Sequence, residues 1–544
     1  MVKLFESFRN NVIELELPKT IKWYTCGPTI YDDSHIGHAR TFITNDIIRK
    51  YLESKNHNVL YGMNITDIDD KIMNKVKRMH WSSLLSKLNI NLEIWSDEKC
   101  ELLLSEKLTE EEMTPPMDLF YDFINNEEKK FWCDMKSINV KMPYAKIRVT
   151  QVQNETIEFI QTLIDKDIAY VSGKGIDKSV YFDTQKFKKL QIMNRPQDTC
   201  DYMLHKENSN DMNLKNDFSS EKKHPYDFSL WKAKKKYEIS FKSPWGNGHV
   251  SWHTECSVMI NKLFKSKIDI HSGGIDLKFP HHHNECIQTI AYTNNYEWNK
   301  YFLHSGHLHI NNEKMSKSLG NMVTIKSFLN LYNYRVLRLI FINSKWNEIL
   351  NFSEDIINHA FDFDNKLLNF YENINHHINL GKIKDSIDND DNIFENSINI
   401  HCAKLDEHWD NFDTQKILLE IRKIMDDTNK YLQNNYNLIN ILRVRDILNN
   451  QFNILGIDYN FNQVQNIDKH TKNEHQYIDA IIEIRNKLKN TILDITNEHK
   501  EVKKKLYNIC DWIRDVKMKS IGIKIEDLKD STKWNYLTEQ SSNL

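Results

Sequence analysis

No apolar run in the sequence reaches the ~20 residues needed to cross a bilayer, so a soluble protein is expected. The opening residues, Met1-Val-Lys-Leu-Phe-Glu-Ser-Phe-Arg-Asn10, contain no secretory apolar core. They also leave too little length before the first strand for a transit peptide, which points to the cytosol. Cysteine is sparse: 8 in 544 residues, without the spacing of a disulfide framework, as suits a reducing compartment. Cys100, Cys133, Cys200, Cys286, Cys402 and Cys510 read as ordinary free thiols. An excess of one charge is lacking too. A net charge of -3 gives no global argument for nucleic acid, so such contact must rest on local basic runs. The candidates are 232–236, 503–505 and 517–519, each as readily a solvated helix face. No internal repeat is visible, which argues against a solenoid.

What is present is a globular composition, 40% hydrophobic and 27% charged. The chain is long enough for about three or four domains and ample core. Residues 21–65 organise it. Ile21, Trp23 and Thr25 alternate with Lys22 and Tyr24 as in a strand, and Gly27-Pro28 ends that strand. A helix begins near Gly37, because Ile43, Ile47, Ile48, Tyr51 and Leu52 share one face. Residues 59–65 return as a strand. Strand, helix, strand opens a doubly wound nucleotide-binding sheet, whose ligands bind at the strands' carboxyl ends beside the first helix N-terminus. Cys26 and His35-Ile-Gly-His38 lie there.

Far downstream stands Lys314-Met-Ser-Lys-Ser318. Either run alone carries little. The two in this order, flanked by that strand and helix, resemble the class I aminoacyl-tRNA synthetases. Four further runs narrow the resemblance to the cysteinyl-tRNA synthetases, of eukaryote-like type. They are Cys26-Gly-Pro-Thr-Ile-Tyr31, Asn64-Ile-Thr-Asp-Ile-Asp-Asp-Lys71, Trp252-His-Thr-Glu-Cys256 and Phe279-Pro-His-His-His-Asn-Glu285. The likeness covers about half the chain.

The resemblance implies an α/β fold: a Rossmann-type catalytic domain split by a connective insert and followed by an α-helical C-terminal half. Its expected parts are a first Rossmann half (1–105), the insert (106–225), a second half (226–310), a signature-loop and stem-contact region (311–375), a helical bundle for the anticodon stem (376–500) and an anticodon-binding module (501–544). The acidic, helical stretch 81–130 reads as an inserted, partly mobile segment, and polar 203–224 as a flexible loop. Residues 168–171 and 179–182, separated by Gly173 and Gly175, predict a hairpin.

Cys26, Cys256, His281 and Glu285 form the weightiest constellation. His281 and Glu285 are four apart, hence on one face if helical. Sulfur, nitrogen and carboxylate donors in this mix suit Zn²⁺, although any one of them is more commonly a buried thiol or a satisfied core histidine. The resemblance implies all four as ligands of one zinc ion per chain. Two departures from the family pattern matter. His283 replaces a usual acidic residue, so His282 and His283 compete with His281 as the imidazole donor; Ser272 replaces a usual glycine and could shift backbone near the nucleotide. Zinc has a physical purpose here. A plain pocket separates cysteine from serine by only about 1–3 kcal/mol, whereas a metal lowers a thiol pKa far below about 8.5 and leaves a hydroxyl un-ionised.

The resemblance further implies that Gly27, Thr29, Thr66, Trp252 and Asp276 line the amino-acid pocket, with Asp276 opposite the α-ammonium; His253 and His271 are weaker candidates. His35 and His38 would donate to phosphate oxygens at the helix N-terminus, Gly37 would let the base lie close, and Lys314 and Lys317 would clamp pyrophosphate. Implied partners are ATP with Mg²⁺, L-cysteine and tRNA(Cys), with no membrane and a monomer favoured. Two rivals remain: a zinc-dependent ligase joining cysteine to a small amine, and a non-catalytic tRNA-binding paralogue. The roughly 180 residues after 365 argue against the first, and intact His35, His38, Lys317 and zinc donors against the second.

Overall fold

The computed structural model describes residues 2–92, 94–194, 221–310, 313–315, 320–381, 388–434, 436–459, 481–492, 500–519, 523–527 and 532–536. It forms two compact units, Met1–Tyr459 and Asn460–Leu544. Among the described residues no helix is long and apolar enough to cross a membrane.

In the first unit, a hairpin of β1 (Lys3–Glu6) and β2 (Asn11–Glu14) precedes β3 (Thr20–Thr25). Helix α1 (Ile36–Ser54) leads to β4 (Asn58–Ile65), and β5 is Ala145–Arg148. Then come β6 (Ala169–Ser172), β7 (Ser179–Phe182), β8 (Phe228–Ala233), β9 (Phe241–Ser243) and β10 (Gly246–Val250). The series continues with β11 (Ile268–Gly274), β12 (Asn299–Ser305), β13 (Leu308–Ile310), β14 (Glu313–Lys314) and β15 (Leu350–Phe352). The central sheet has the order β12-β11-β3-β4-β5, all parallel, so all its carboxyl ends open on one rim. Trp23, Tyr24, Ile65 and Ile270 are buried in its middle strands, as parallel strands covered on both faces require. The first hairpin seals the β12 edge: Ser7 N–H donates to Phe302 O, and the Glu6 carboxylate accepts from Phe302 N.

The apolar face of α1 that the sequence predicts is buried, but so is its polar side: Arg40, Asn45, Asp46 and Arg49. Each then needs a partner inside the protein. Asn45 donates to Thr25 Oγ1 and Tyr61 Oη; Arg49 reaches Met142 O; Arg40 reaches the carbonyls of His307, Lys345 and Glu348. The helix is sandwiched between the sheet and the helices that follow.

Several expected boundaries shift. β5 lies within the expected insert 106–225 yet pairs with β4 at the edge of the main sheet. The predicted hairpin is present as β6 and β7, and its sheet continues through β8, β10 and β9, strands that lie within the expected second half 226–310. Residues 81–113 share one buried cluster with Tyr237. Trp81, Leu85, Cys100, Leu104, Met113 and Tyr237 pack together, and about two thirds of the segment expected to be partly mobile is helix. Lys232 and Lys235 pair with Asp70, and Lys236 with Glu101, so the basic run 232–236 is largely neutralised within the protein. Most of the loop expected over 203–224, to residue 220, lies outside the described residues.

The helical half consists of Tyr334–Ile342, Glu354–Leu380, Asn389–Asp410, Thr414–Tyr431 and Leu438–Leu455; the second of these crosses the expected boundary at 375. Phe394 stacks on Tyr431 at 4.0 Å, and Tyr371 donates to Asn449 Oδ1. The second unit begins at 460, not 501. Ile482 is buried with Met518, Ile523 and Ile525, and Arg485 grips Asp527 with two hydrogen bonds of 2.7 Å. Its β16 (Ile523–Asp527) and β17 (Thr532–Tyr536) pair antiparallel.

Candidate active site

A cleft of about 470 Å³ opens at the carboxyl rim of the parallel sheet. Cys26, Gly27, Thr29, His35, Gly37, His38, Thr66, Trp252, Cys256, Asp276 and His281 all line it. Glu285 lies beneath, fully buried. Lys317 is outside the described residues, and of Lys314 only the backbone is described, in β14.

The start of α1 is shaped by its two histidines. His35 caps the helix: its Nδ1 accepts from His38 N at 3.2 Å, while His38 Nδ1 accepts from His35 N at 3.4 Å. The rings stack at 3.7 Å. With both Nδ1 atoms accepting, each neutral ring carries its proton on Nε2 and is a donor there. The backbone beyond the second signature is pinned to the same place. Ile36 N–H donates to Val323 O, and Ile325 N–H to Ser34 O. Before that signature, β13 pairs with β14, His309 opposite Lys314, and Met315 lines the cleft beside Gly37. The first signature and the described segments on either side of the second therefore meet at one helix end.

At the other end of the cleft the donor atoms gather. Cys26 Sγ lies 3.4 Å from Cys256 Sγ and 3.6 Å from His281 Nε2, and His281 Nε2 lies 2.8 Å from Glu285 Oε1. Cys26 follows β3, Cys256 sits in the helix Trp252–Phe264, and Glu285 opens the helix His283–Thr293. All four are buried, with ligand atoms within 4.8 Å of one another. A second set, Cys26, His271, His282 and Glu285, meets the same criterion. His282 Nε2 is 3.2 Å from Cys26 Sγ, its Nδ1 meets His304 Nε2 at 2.7 Å, and His271 Nε2 lies 2.7 Å from Glu285 Oε2. His282 is thus a true neighbour of the donors, whereas His283 belongs to neither set. The sets differ in access. Cys256 and His281 face the cleft, and Trp252 stacks on the His281 ring at 4.6 Å; His271 and His282 do not line it.

Electrostatics favour a cation among these donors. Burial pushes the Cys26 thiol well up. Burial also opposes ionisation of Cys256, but the hydrogen bond from Cys26 and the His281 imidazole bring it down to about 6. At His281 burial works against the charged ring, yet Glu285 and Cys256 lift it to about 10. Glu285, despite its burial, is held at about 2 by His271 and His281. A thiolate and a carboxylate around one positive centre, with two sulfurs, a nitrogen and an oxygen, fit a Zn²⁺ ion in chemistry and in number.

Gly27 packs where no side chain fits, since an added Cβ would lie 1.7 Å from Asn64 O. Asn64 Oδ1 accepts from Gly27 N at 2.7 Å, and Thr66 donates to Glu255 Oε2 at 2.8 Å. Asn64 and Glu255 stand inside the runs 64–71 and 252–256, yet residue type and spacing do not disclose these contacts, which only the fold creates. The Ser272 departure is absorbed internally: its hydroxyl accepts from Trp23 Nε1 at 2.8 Å, within the sheet.

A parallel sheet with the paired histidines at its carboxyl rim, and the described flanks of the second signature beside them, is the arrangement of a class I synthetase. A solved Mycobacterium tuberculosis methionyl-tRNA synthetase in complex with methionyl-adenylate shares this fold, with a TM-score of 0.52 and 13% identity, covering 80% of this chain and 90% of that one. The family model described as the tRNA synthetases class I (C) catalytic domain matches residues 12–362. A cysteine–tRNA ligase of Methanococcus aeolicus is 34% identical over 522 residues, 95% of each chain. One from Metallosphaera sedula is 33% identical over 524 residues, 95% of this chain and 96% of that one. The chain belongs to the cysteine–tRNA ligase family of aminoacyl-tRNA synthetases.

Proposed function

We propose that this chain activates L-cysteine with ATP to cysteinyl-adenylate and transfers the cysteinyl group to the terminal ribose of tRNA(Cys), as a monomer in the cytosol. One observation carries the reading: two thiols and an imidazole, backed by a buried carboxylate, share a cleft with a paired-histidine helix start. Cys26, Cys256, His281 and Glu285 would hold zinc. When bound, that ion supplies a soft Lewis acid that favours a thiolate over an un-ionised hydroxyl.

The chain's own groups do the rest. Asp276, on the cleft wall, balances the α-ammonium of the amino acid. Trp252 closes the side of the pocket over His281, while Thr29 and Thr66 supply hydroxyls at its back. Attack of the carboxylate on the α-phosphate accumulates charge on phosphate oxygens. His35 and His38 donate from Nε2 at a helix N-terminus, where the dipole adds to their effect. Gly37 leaves room for the base, and Lys314 and Lys317 neutralise the departing pyrophosphate, which Mg²⁺ accompanies. The helical half receives the tRNA.

The experiment is cysteine-dependent ATP–pyrophosphate exchange, with and without chelator, followed by charging of tRNA. Exchange with charging is the expected result. Exchange alone would favour a small-amine ligase, and neither activity would favour a non-catalytic paralogue.

A further inference from the structure

Arg338 is completely buried, in the helix Tyr334–Ile342. Its guanidinium donates to four acceptors from three other parts of the first unit: Asp46 Oδ2 of α1 at 2.5 Å, Ile138 O at 2.9 Å, Asn139 O at 3.1 Å and Leu455 O at 2.9 Å. The Leu455 carbonyl ends the helix Leu438–Leu455, and Gly456 follows it with φ +72°. A Cβ at Gly456 would lie 2.0 Å from Arg338 Nη2, so the chain turns there directly against the guanidinium. Asn139 closes the ring by donating its side-chain amide to Gly456 O at 2.8 Å.

The far end of α1 meets the same helical half. Tyr51 stacks on Trp409 at 4.9 Å and donates to Asp410 at 3.0 Å, both residues of the helix Asn389–Asp410. Thus α1, about 28 Å long for its length in residues, carries His35 and His38 at its start and two anchors of the helical half further along. Ala39, Ile43 and Ile47 of α1 are buried, and the helix also contacts the central sheet at β4, β11 and β12, independently of those anchors.

We propose that Arg338 is a positioning residue that sets the helical half in register with the cleft through α1, and that transfer to tRNA depends on it far more than cysteine activation does. This rests on the reading that the helical half receives tRNA. Activation needs only the groups proposed to bind cysteine and ATP at the cleft, none of them on the helical half. Transfer needs a nucleic acid held on the helical half to bring its terminal ribose to that same cleft, and misplacement by a fraction of an ångström is costly at that distance.

The test uses the full chain and compares two rates, cysteine-dependent ATP–pyrophosphate exchange and charging of tRNA(Cys) transcript. Arg338→Lys keeps a charge beside Asp46 but cannot span four acceptors. Exchange is expected to fall by less than about threefold, and kcat/KM for charging by about tenfold or more. Parallel losses in both rates, or loss of neither, overturn the proposal. If Arg338→Lys does not fold, Asn139→Gly removes one link of the ring without touching the buried charge; an unchanged ratio of the two rates there overturns the proposal as well. A wild-type chain inactive in both assays would instead sink the functional reading.

Discussion

The two overlapping donor sets make opposite predictions for two histidines. If the ion sits among Cys26, Cys256, His281 and Glu285, then His281 is a ligand and His271 acts only through its 2.7 Å contact to Glu285. Removing such a supporting partner lowers metal affinity about 10–100-fold, or about 1.4–2.7 kcal/mol, because the carboxylate loses its orientation and not its place. Removing His281 deletes one of four donors and leaves a buried thiolate and carboxylate facing an incomplete site, so its effect is the larger. Zinc affinity of His271→Ala and His281→Ala is measured by competition with a chromophoric chelator, which needs no substrate. His281→Ala is expected to weaken binding well beyond about 100-fold and His271→Ala to remain within that range. An equal or greater loss in His271→Ala would place the ion in the deeper set and refute the assignment, together with the idea that it faces the substrate.

Three other outcomes are expected. Chelator-treated chain should discriminate cysteine from serine in pyrophosphate exchange by no more than about 10–200-fold, the limit of a plain pocket, and discrimination that survives metal removal would count against thiolate selection. Leu104→Ala, at a fully buried position among Trp81, Cys100 and Met113, should lower urea stability by about 2–5 kcal/mol, whereas exposed Leu102→Ala should stay within about 0.5; equal effects would mean that residues 81–113 do not hold a core. Asp70, opposed by burial but held by Lys232 and Lys235, is depressed from 3.8 to about 2. Its contribution is therefore nearly complete above about pH 4 and is lost as pH falls through about 2. After allowance for a carboxylate one-third exposed it is worth about 1 kcal/mol, so Asp70→Asn should lose that much at neutral pH, with the difference shrinking towards zero below about pH 2 in acid-unfolding curves.

The sequence by itself determined the local elements and the chemical inventory. Alternation at Ile21, Trp23 and Thr25, the apolar face from Ile43 to Leu52, and the two signatures are written in neighbouring residues, where periodicity and residue type suffice. Tertiary structure decided what depends on pairing between distant segments. Sheet register places β5 beside β4 and joins β8, β9 and β10 to the sheet of β6 and β7. Packing folds residues 81–113 around Trp81 and neutralises Lys232 and Lys235 against Asp70. His281 and His282 are adjacent in the chain and chemically identical, and only the turn leading into the helix His283–Thr293 directs one to the cleft and the other to His304. Asp46 and Arg338 look like two surface charges in the sequence; they become a buried pair because α1 is covered on both sides, a fact that no single helix can express.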